Sequence, residues 1–352
     1  MSQTPPFELT DKLLNWFTTQ GRTSLPWRGA PCGARDPYQV WLAEIMLQQT
    51  TVAAVIPYFE TFMSKWPDVK ALAAADTDAV MQAWAGLGYY ARARNMLKCA
   101  RAVAGDRQGA FPHSEADLLA LPGIGPYTAA AIAAIAFNGD AAPVDGNVIR
   151  VLTRLYAISD VMPTNNAVVG GFAAAMLPKG HSGDFAEALM DLGATVCKPK
   201  NPKCDACPWT EDCAALAQGD PTAYPRKAPK KIKPTRTGWM YWIERSDGSV
   251  LLERRPERGL LGGMMGFPSS EWDERRLSAQ DAIAQAPIAT DWRALDGVVR
   301  HTFTHFHLEL RVLKACDNTA LAGGAWHARG DLAELGLPTV MHKVRKLVNA
   351  LE

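Results

Sequence analysis

The sequence predicts two domains, an all-α domain followed by a smaller α+β domain. Helical periodicity recurs through the first two thirds of the 352 residues, and short alternating runs typical of strands follow from about residue 238. Between them, residues 221–236 contain four prolines and six basic residues without an acid, a composition typical of a linker. The predicted boundaries are therefore 1–220 for the helical domain, 221–237 for the linker and 238–352 for the second domain.

The helical domain contains a series of segments with helical periodicity. The predicted helices cover 8–20, 39–66 with an interruption at Pro57, 70–85, 89–105, 114–121, 126–138, 147–158, 165–176 and 184–196. In the second domain, WMYWIER, SVLLERR and VVRHTFTHFHLELRVLKA predict strands, and residues 340–350 predict a closing helix.

Composition excludes several functional classes. The net charge of +1 argues against a wholly basic DNA-coating protein, although it permits local basic patches. The N-terminus MSQTPPFELTDK has no basic-then-apolar signal, and the apolar run at 129–137 is too short to span a bilayer. We therefore expect a cytoplasmic, monomeric protein without a membrane partner.

A helix-turn-helix hairpin is predicted at LLALPGIGPYTAAAIAAIAF, which begins at Leu118. Gly123 and Gly125 lack a Cβ, so the turn can adopt positive φ and a phosphate can approach the backbone amides. Pro126 suits the first turn of the second helix, where free N–H groups form an anion site. We expect this turn to bind the phosphate backbone of a nucleic acid.

Two carboxylates are candidates for catalysis. Glu44 lies in the largely apolar helix VWLAEIMLQQTTV, where partial desolvation would raise its pKa and keep a proton available near neutral pH. The alternative is a glutamate on an exposed helix face. Asp145 in VDGNVIRV is a candidate helix N-cap, which would keep it ionised. A proton donor and a fixed negative charge together suit hydrolysis at an anomeric carbon, whose transition state resembles an oxocarbenium ion.

Four cysteines form a candidate metal centre with the spacing Cys-x6-Cys-x2-Cys-x5-Cys, namely Cys197, Cys204, Cys207 and Cys213. Four thiolates in one short loop suit a four-iron, four-sulfur cluster, and zinc is the alternative. Lys198 and Lys200 lie inside this loop. They are either a solvated charge run or contacts to a phosphate backbone.

A third candidate site lies between two predicted strands, at Phe303, Thr304 and His305. An aromatic ring and two hydrogen-bonding side chains can wedge beside and read a modified base. The alternatives are ordinary strand alternation or a metal site.

These motifs together resemble the helix-hairpin-helix DNA glycosylases of the endonuclease III superfamily. The sequences SLPWR, AEIMLQQTTV, WAGLGYYARARN, EALMDLGATVC and HTFTHFH resemble more narrowly the adenine DNA glycosylases of the MutY family. The resemblance extends from about Leu25 to the C-terminus, although the stretch Pro31–Asp36 is longer than its family counterpart. It implies base excision repair of double-stranded DNA, with removal of adenine opposite 8-oxoguanine and, more weakly, opposite guanine.

The resemblance also assigns roles to individual residues. Glu44 is implied to protonate adenine and then to activate water, and Asp145 to stabilise the sugar cation or form an adduct with it. Asn147 is implied to orient the attacking group. Base flipping and adenine binding are implied for a further set, in which Gln49 and Tyr89 wedge into the gap and Thr50, Leu87, Arg28 and Glu187 line or support the pocket. The alternatives are core or turn packing for Leu87 and Tyr89 and a solvated helix residue for Gln49.

Tyr127 separates subfamilies, because relatives that also cleave the strand carry a lysine at this place, where an amine can form a Schiff base. Tyrosine cannot, so the resemblance implies a monofunctional glycosylase. Tyr127 could equally serve to pack against the hairpin.

The second domain resembles the Nudix fold, and GLLGGMMGFP is similar to its sheet edge, but no run matches the Nudix catalytic helix. It is therefore expected to bind without hydrolysing nucleotides. The resemblance implies 8-oxoguanine recognition by Phe303, Thr304 and His305. Thr304 stands where serine is usual and Thr51 where a longer polar residue is common. The hydroxyl of Thr304 is retained, so we expect its contact to survive.

Three alternatives remain at this point. The first is a bifunctional pyrimidine glycosylase of the endonuclease III type, against which Tyr127 and the second domain count. The second is a mismatch-specific thymine glycosylase, which shares the hairpin, the cysteine loop and the tyrosine but lacks a Nudix-like domain. The third is a non-enzymatic iron–sulfur DNA sensor, which would bind mispaired duplex without releasing a base.

Overall fold

The computed structural model describes residues 4–29, 33–162, 166–226, 228, 232–256, 259–319, 321–333 and 335–351. The chain forms two compact units, Met1–Thr77 with Arg94–Pro229, and Asp78–Ala93 with Lys230–Glu352. Residues 78–93, which the sequence analysis assigned to the helical domain, thus group with the second unit. The boundaries at 220 and 238 stay a prediction. Part of the Pro31–Asp36 stretch, residues 31–32, lies outside the described residues, as do 30, 163–165, 227 and 229–231.

The described part of the chain before residue 230 is helical, as predicted. Its helices are α1 (Pro6–Gln20), α2 (Pro37–Leu47), α3 (Val52–Lys65), α4 (Val69–Ala74), α5 (Thr77–Ala83), α6 (Ala91–Asp106), α7 (Glu115–Leu119), α8 (Pro126–Phe137), α9 (Gly146–Leu155), α10 (Asn166–Ala175), α11 (Ser182–Asp191) and α12 (Ala214–Ala217). A π-helical turn at Leu192–Val196 extends α11, and 3-10 turns lie at Cys204–Ala206 and Pro221–Ala223.

The predicted interruption at Pro57 is wrong, because the chain breaks between α2 and α3 instead. Gln49 adopts a left-handed φ of 57° after the end of α2. The Thr51 side chain then caps α3 by accepting a hydrogen bond from the Ala54 N–H. Pro57 lies inside α3. A left-handed residue followed by an N-cap ends one helix and begins the next, whereas the proline removes a single hydrogen bond from a helix that is stabilised by packing.

The hairpin at α7 and α8 has the predicted arrangement, with one correction. Gly123 has a φ of 76°, and a Cβ there would lie 2.6 Å from the Asn95 Cβ, so this position requires glycine. Gly125, in contrast, is the N-cap of α8 with a φ of −94° and ψ of 174°, a conformation open to other residues. Pro126 is the first residue of α8, as predicted. A Cβ on Gly125 would meet no atom within 4 Å, so the turn is open in front of the helix.

Packing around α8 positions the candidate site. Most of α8 is buried, and it packs against α2, α7 and α11, while α11 also packs against α1. Gly183 on α11 permits close approach, because a Cβ there would lie 3.0 Å from the Ala134 carbonyl oxygen of α8. The helices that carry Glu44, Tyr127 and Glu187 are therefore held against one another.

A mixed sheet and flanking helices form most of the second unit, which confirms the predicted α+β class. The strands are β1 (Thr235–Glu244), β2 (Ser249–Arg254), β3 (Met265–Gly266), β4 (Arg293–Ala294), β5 (Val299–Thr302), β6 (His307–Cys316) and β7 (Gly324–Ala328). The helices are α13 (Ala279–Ala284) and α14 (Thr339–Ala350), with a 3-10 turn at Asp331–Ala333. The closing helix is confirmed, whereas α13 was not predicted.

The sheet has β3, β2, β1, β6 and β4 in spatial order, with β5 paired to β6 and β7 paired to β2. β1 and β6 run parallel, with Thr235 opposite His307 and Glu244 opposite Cys316, and the other pairs are antiparallel. Two hydrophobic clusters form, one including residues of α14 and the other including Ala282 of α13. Along the described ranges, no helix combines the length and apolar character that crossing a bilayer requires.

The two hairpin glycines predict a difference in stability. Gly123→Ala should lower the free energy of unfolding by about 1–3 kcal/mol, because alanine is strained at positive φ and its Cβ meets Asn95. Gly125→Ala should change it by less than about 1 kcal/mol, since neither strain nor a neighbouring atom opposes the Cβ. Denaturant unfolding of both variants measures this. Equal losses in the free energy of unfolding would show that the positive φ is not the reason why the turn needs glycine at position 123.

Candidate active site

One cavity of about 700 Å³ in the first unit brings together most of the predicted catalytic residues. Its lining combines carboxylates, aromatic rings and the backbone of the hairpin turn. The predicted site residues that line it are Glu44, Asp145, Tyr127, Asn147, Arg28, Gln49, Thr50, Glu187, Gly123 and Gly125. The two candidate carboxylates therefore share one cavity, as joint action on one anomeric carbon requires.

Glu44 is buried on α2, with 7% of its surface exposed, so the alternative of an exposed helix face is wrong. Asp36 caps this helix by accepting a hydrogen bond from the Tyr38 N–H at 2.8 Å. Desolvation raises the pKa of Glu44 to about 7, and the nearby charge of Asp145 acts in the same direction. A hydrogen bond from Tyr127 partly opposes this rise in pKa. The predicted raised pKa is confirmed, and Glu44 can hold a transferable proton near neutral pH.

Tyr127 is the second residue of α8 and contacts Glu44 directly. Burial raises the pKa of its phenol well above the ordinary value, and the charges of Glu44 and Asp145 reinforce this. The neutral hydroxyl donates to the Met190 Sδ at 3.9 Å and lies near enough to the Glu44 carboxyl group to form the hydrogen bond that lowers the pKa of Glu44. Tyr127 thus lowers the pKa of Glu44 from the neighbouring helix α8.

Asp145 is the N-cap of α9, as predicted, and its carboxylate is held by three donors. Its Oδ1 accepts from the Asn147 and Val148 N–H groups at 2.8 and 2.7 Å, and its Oδ2 accepts from Asn147 Nδ2 at 2.7 Å. These hydrogen bonds at the helix N-terminus fix the orientation of the carboxylate. The side chain cannot rotate without losing these bonds.

Arg150, which the sequence analysis missed, links this carboxylate to the cysteine loop (Cys197–Cys213). Its Nη2 donates to the Asn147 Oδ1 at 2.8 Å and to the Gly193 carbonyl oxygen at 2.7 Å, and its Nε donates to the Cys197 carbonyl oxygen at 2.7 Å. Asn147 is thereby oriented so that its amide N–H faces Asp145. The signal in the sequence was the i, i+3 spacing of Asn147 and Arg150 on one helix face.

A buried network of charges supports another wall of the cavity. Arg28 Nε lies 3.3 Å from the Glu187 Oε1, and Arg28 Nη2 lies 3.0 Å from the Asp191 Oδ1. Glu187 is also bound by Arg35, whose Nη2 lies 2.8 Å from the Glu187 Oε2 and also contacts Asp184. The side chains of Arg28 and Glu187 are 6% and 2% exposed, so their positions are strongly constrained. The sequence analysis missed Arg35, for which proximity to the N-cap Asp36 was the only local signal.

Gln49 and Thr50 lie between α2 and α3, at the edge of the cavity. The Gln49 side chain is exposed, and its backbone has the left-handed φ of 57°. The preceding residue, Gln48, donates to the Thr128 hydroxyl at 3.2 Å and ties this segment to α8. An exposed glutamine side chain on a constrained backbone is suited to insert into a bound molecule.

Leu87 and Tyr89 belong to the second compact unit, in the loop between α5 and α6. Leu87 is buried with 7% exposure, whereas Tyr89 is 50% exposed. Core packing therefore accounts for the position of Leu87, but it does not account for the exposed side chain of Tyr89.

The cysteine loop surrounds a cavity lined by all four cysteines and by Arg154. Arg154 is buried and donates to the Cys197 Sγ at 3.3 Å and to the Lys198 carbonyl oxygen at 2.7 Å. A buried guanidinium beside the Cys197 sulfur supplies a hydrogen-bond donor to a candidate ligand of iron or zinc. The thiols surround this cavity rather than converging on one point, and no three Cys, His, Asp or Glu side chains converge elsewhere in the described ranges.

Two lysines of the cysteine loop stay candidates for contacts to a phosphate backbone. Lys200 is exposed, and Lys198 is partly exposed. The loop itself is closed by the Lys203 N–H, which donates to the Val196 carbonyl oxygen at 2.9 Å.

Phe303, Thr304 and His305 lie at the tip of the hairpin between β5 and β6, as predicted. The Phe303 N–H donates to the Phe306 carbonyl oxygen at 2.9 Å and closes the turn, while Thr304 and His305 are exposed. Phe303 is partly buried against Phe306 and Trp272. Lys233 Nζ donates to the Phe303 carbonyl oxygen at 3.1 Å. The tip thus displays two polar side chains beside an anchored ring.

Family models match both parts of the chain. Residues 42–168 match the "HhH-GPD superfamily base excision DNA repair protein" family, and residues 239–347 match the "NUDIX domain". Residues 197–213 match the "Iron-sulfur binding domain of endonuclease III". The last match favours an iron–sulfur cluster over zinc, and a 4Fe–4S cluster is the cofactor of this chain.

Solved structures share the fold of the helical part. A thermostable thymine-DNA glycosylase is 29% identical and aligns with a TM-score of 0.53 over 60% of this chain and 97% of its own. Endonuclease III in a non-covalent complex with DNA is 22% identical and aligns with a TM-score of 0.50 over 60% of this chain and 95% of its own.

Similar proteins of established function cover nearly the whole chain. The adenine DNA glycosylase of Homo sapiens is 35% identical over 94% of this chain and 72% of its own length. That of Buchnera aphidicola (subsp. Schizaphis graminum) is 31% identical over 95% of this chain and 97% of its own length. Because these relatives span the helical unit and the Nudix-like unit together, the chain belongs to the adenine DNA glycosylase family.

Proposed function

We propose that this protein removes adenine from mispairs with 8-oxoguanine, and more weakly from mispairs with guanine, by hydrolysing the N-glycosidic bond. The observation that carries the proposal is the shared cavity in which Glu44, with a pKa raised to about 7, lies near the N-cap carboxylate of Asp145. Membership of the adenine DNA glycosylase family supports the choice of adenine. A monomeric state and a cytoplasmic location stay predictions of the sequence.

Glu44 acts as the general acid in this proposal. Its protonated form donates to the adenine ring, so the base leaves as a neutral molecule. The carboxylate that remains then accepts a proton from the attacking water. The Tyr127 hydroxyl moderates the rise in the pKa of this carboxyl group, and burial keeps the proton available at neutral pH.

Asp145 stabilises the positive charge that develops on the sugar as the bond to adenine breaks. Its carboxylate is preorganised by Asn147 and Val148, so little reorganisation is needed when the charge appears. Asn147 also orients the attacking group, and Arg150 fixes Asn147. A covalent bond between Asp145 and the sugar carbon is compatible with this role. Tyr127 offers no amine for a Schiff base, so we propose hydrolysis with little or no strand cleavage.

Access to the glycosidic bond requires the adenine to leave the duplex, which costs least at a mispair. Gln49 and Tyr89 are both exposed, and each is proposed to fill the gap that the extruded adenine leaves. Thr50, Leu87, Arg28 and Glu187 are proposed to line or support the adenine pocket. The amides beside Gly123 and Gly125, with Lys198 and Lys200, are proposed to bind the phosphate backbone.

The cofactor is proposed to be held by Cys197, Cys204, Cys207 and Cys213, which line one cavity. Four thiolates suit a 4Fe–4S cluster, and Arg154 supplies a hydrogen bond to the Cys197 sulfur. When bound, the cluster gives the cysteine loop a fixed shape. Because Arg150 binds the Cys197 carbonyl oxygen and Asn147, the shape of the loop constrains the side chain that orients Asp145.

The Nudix-like unit is proposed to read 8-oxoguanine through Phe303, Thr304 and His305. The exposed hydroxyl of Thr304 and the His305 ring can hydrogen-bond to a base, and Phe303 can wedge beside it. Two hydrogen bonds hold the backbone of Phe303 in this turn, one from Lys233 and one to Phe306.

The direct test measures base release. Duplexes containing adenine opposite 8-oxoguanine, guanine or thymine are incubated with the protein and treated with hot alkali, and strand cleavage is quantified. We expect cleavage at 8-oxoguanine mispairs, weaker cleavage at guanine mispairs and none at thymine. Glu44→Gln should retain binding and lose activity by about 10²–10⁴-fold, since the proton donor is gone.

Glu60→Gln is the matched control, because Glu60 is exposed on α3, and its activity should be unchanged. Binding of the mispaired duplex without any base release by the unmodified protein would instead identify a DNA sensor. Release of thymine or of oxidised pyrimidines would identify a different glycosylase.

Removal of the Thr304 hydroxyl tests lesion recognition. Thr304→Ala should reduce the preference in affinity for 8-oxoguanine over guanine by about 3- to 10-fold, the loss expected for one hydrogen bond. Dissociation constants for both mispairs, measured with an uncleavable adenine analogue, check this. Thr319→Ala, an exposed threonine after β6, is the control. An unchanged preference in Thr304→Ala would assign lesion recognition elsewhere.

The hydrogen bond between Tyr127 and Glu44 predicts a shift in the pH profile. Since this bond lowers the pKa of Glu44, Tyr127→Phe should raise that pKa further. The single-turnover rate should fall as pH rises through a midpoint near 7 in the unmodified protein, and at higher pH in the variant. Tyr58→Phe on α3 should leave the midpoint in place. A midpoint that moves to lower pH in Tyr127→Phe would contradict the assigned acid.

A further inference from the structure

The loop of residues 84–90, here called the wedge loop, displays Tyr89 on an unusual backbone. Gly86 and Gly88 have φ values of 102° and 70°, and Tyr89 itself has a φ of 47°. A left-handed conformation costs an aromatic residue free energy, so the surroundings must stabilise it. Tyr89 is nevertheless 50% exposed. Contacts to the remainder of the loop must therefore supply the stabilisation.

Arg92 makes several such contacts from the first turn of α6. Its Nη2 donates to the Leu87 and Gly88 carbonyl oxygens at 3.1 and 3.3 Å. Its guanidinium carbon lies 5.1 Å from the centroid of the Trp84 ring and 5.5 Å from that of the Tyr89 ring. The Arg92 side chain thus contacts the first residue of the wedge loop, the backbone in its middle and the ring of Tyr89.

The position of Arg92 is unfavourable for a cation unless these contacts offset the cost. It is the second residue of α6, where the helix dipole disfavours positive charge. Burial also lowers its pKa to about 10. The Trp84 indole N–H donates to the Gly88 carbonyl oxygen at 3.0 Å, so ring and guanidinium bind the same backbone group. A planar guanidinium can donate to several carbonyls in a fixed geometry while it stacks on a ring, whereas a lysine ammonium is a compact charge without a planar face.

We propose that Arg92 is a positioning residue that holds Tyr89 in its exposed, left-handed conformation, ready to enter the gap left by an extruded adenine. This rests on the proposed wedge role of Tyr89. Arg92 does not contact the reacting atoms in this proposal, and it acts only through the wedge loop. The guanidinium contacts the ring of Tyr89, while the exposed half of the side chain is free to stack on a base.

The experiment uses the full chain with its cluster and a duplex that reports base unstacking. The duplex carries 2′-fluoro-2′-deoxyadenosine opposite 8-oxoguanine with 2-aminopurine as the neighbouring base, whose fluorescence rises when stacking is lost. Arg92→Met, Arg92→Lys, Tyr89→Ala and the double variant of Arg92→Met with Tyr89→Ala are compared. Single-turnover adenine release is measured on the normal duplex.

Arg92→Met should reduce the fluorescence rise and slow adenine release by about 3- to 30-fold, the range expected for losing a cation–π contact and its hydrogen bonds. Arg92→Lys should restore part of both signals, because charge is kept but the planar fork is lost. In the double variant, the loss should be no larger than in Tyr89→Ala alone, since Arg92 acts through that ring.

Arg101→Met is the matched control, because Arg101 is an exposed arginine of the same helix that donates to the Ala73 and Ala75 carbonyl oxygens. It should change both signals by less than about twofold. If Tyr89→Ala impairs unstacking but Arg92→Met does not, the positioning role is wrong. Additive losses in the double variant would also overturn it. If Tyr89→Ala has no effect, the wedge function itself fails.

Discussion

Burial of Glu44 close to a second carboxylate is the constraint on which the rest of the site depends. A carboxyl group in this position resists ionisation, because burial and the charge of Asp145 both disfavour the anion. The protein maintains the arrangement by giving the two carboxyl groups different hydrogen-bond donors. Glu44 receives a hydrogen bond from a neutral phenol, whereas Asp145 receives N–H donors from the start of α9. One group can therefore donate a proton while the other carries charge, and both face the same cavity.

Asp145 is held within a longer series of polar contacts that crosses the helical unit. Asn147 connects its carboxylate to Arg150, and Arg150 connects α9 to the backbone of Gly193 and Cys197. The cysteine loop therefore contributes to the active site through backbone carbonyls. A cofactor in that loop can be structural and still affect catalysis, because it constrains the carbonyl that Arg150 binds. The wedge loop is stabilised in a similar way, because Arg92 binds two backbone carbonyls beside the Tyr89 side chain that it is proposed to position.

Local signals explain which features were predictable. The hairpin, the N-cap at Asp145, the two strands around Phe303 and the closing helix each depend on a few adjacent residues, and each was found. Gly125 was misjudged because a glycine in a turn need not have positive φ, and here it serves as an open N-cap. The break between α2 and α3 was misplaced because Pro57 is a stronger signal in sequence than Gln49, whose left-handed backbone has no marker. The short helix α13 carried too little periodicity to be recognised.

The sequence by itself determined the family, the two-part architecture, the spacing of the cysteines and the identity of both candidate carboxylates. These depend on residue type and short-range spacing, which do not require knowledge of packing. Only the tertiary structure decided that Glu44 is buried, that Arg35 binds a glutamate 152 residues away, and that Arg150 reaches across 47 residues to Cys197. Desolvation, ion pairs and hydrogen bonds of this kind arise between segments that are distant in the chain and adjacent in space. No local sequence pattern therefore predicts them.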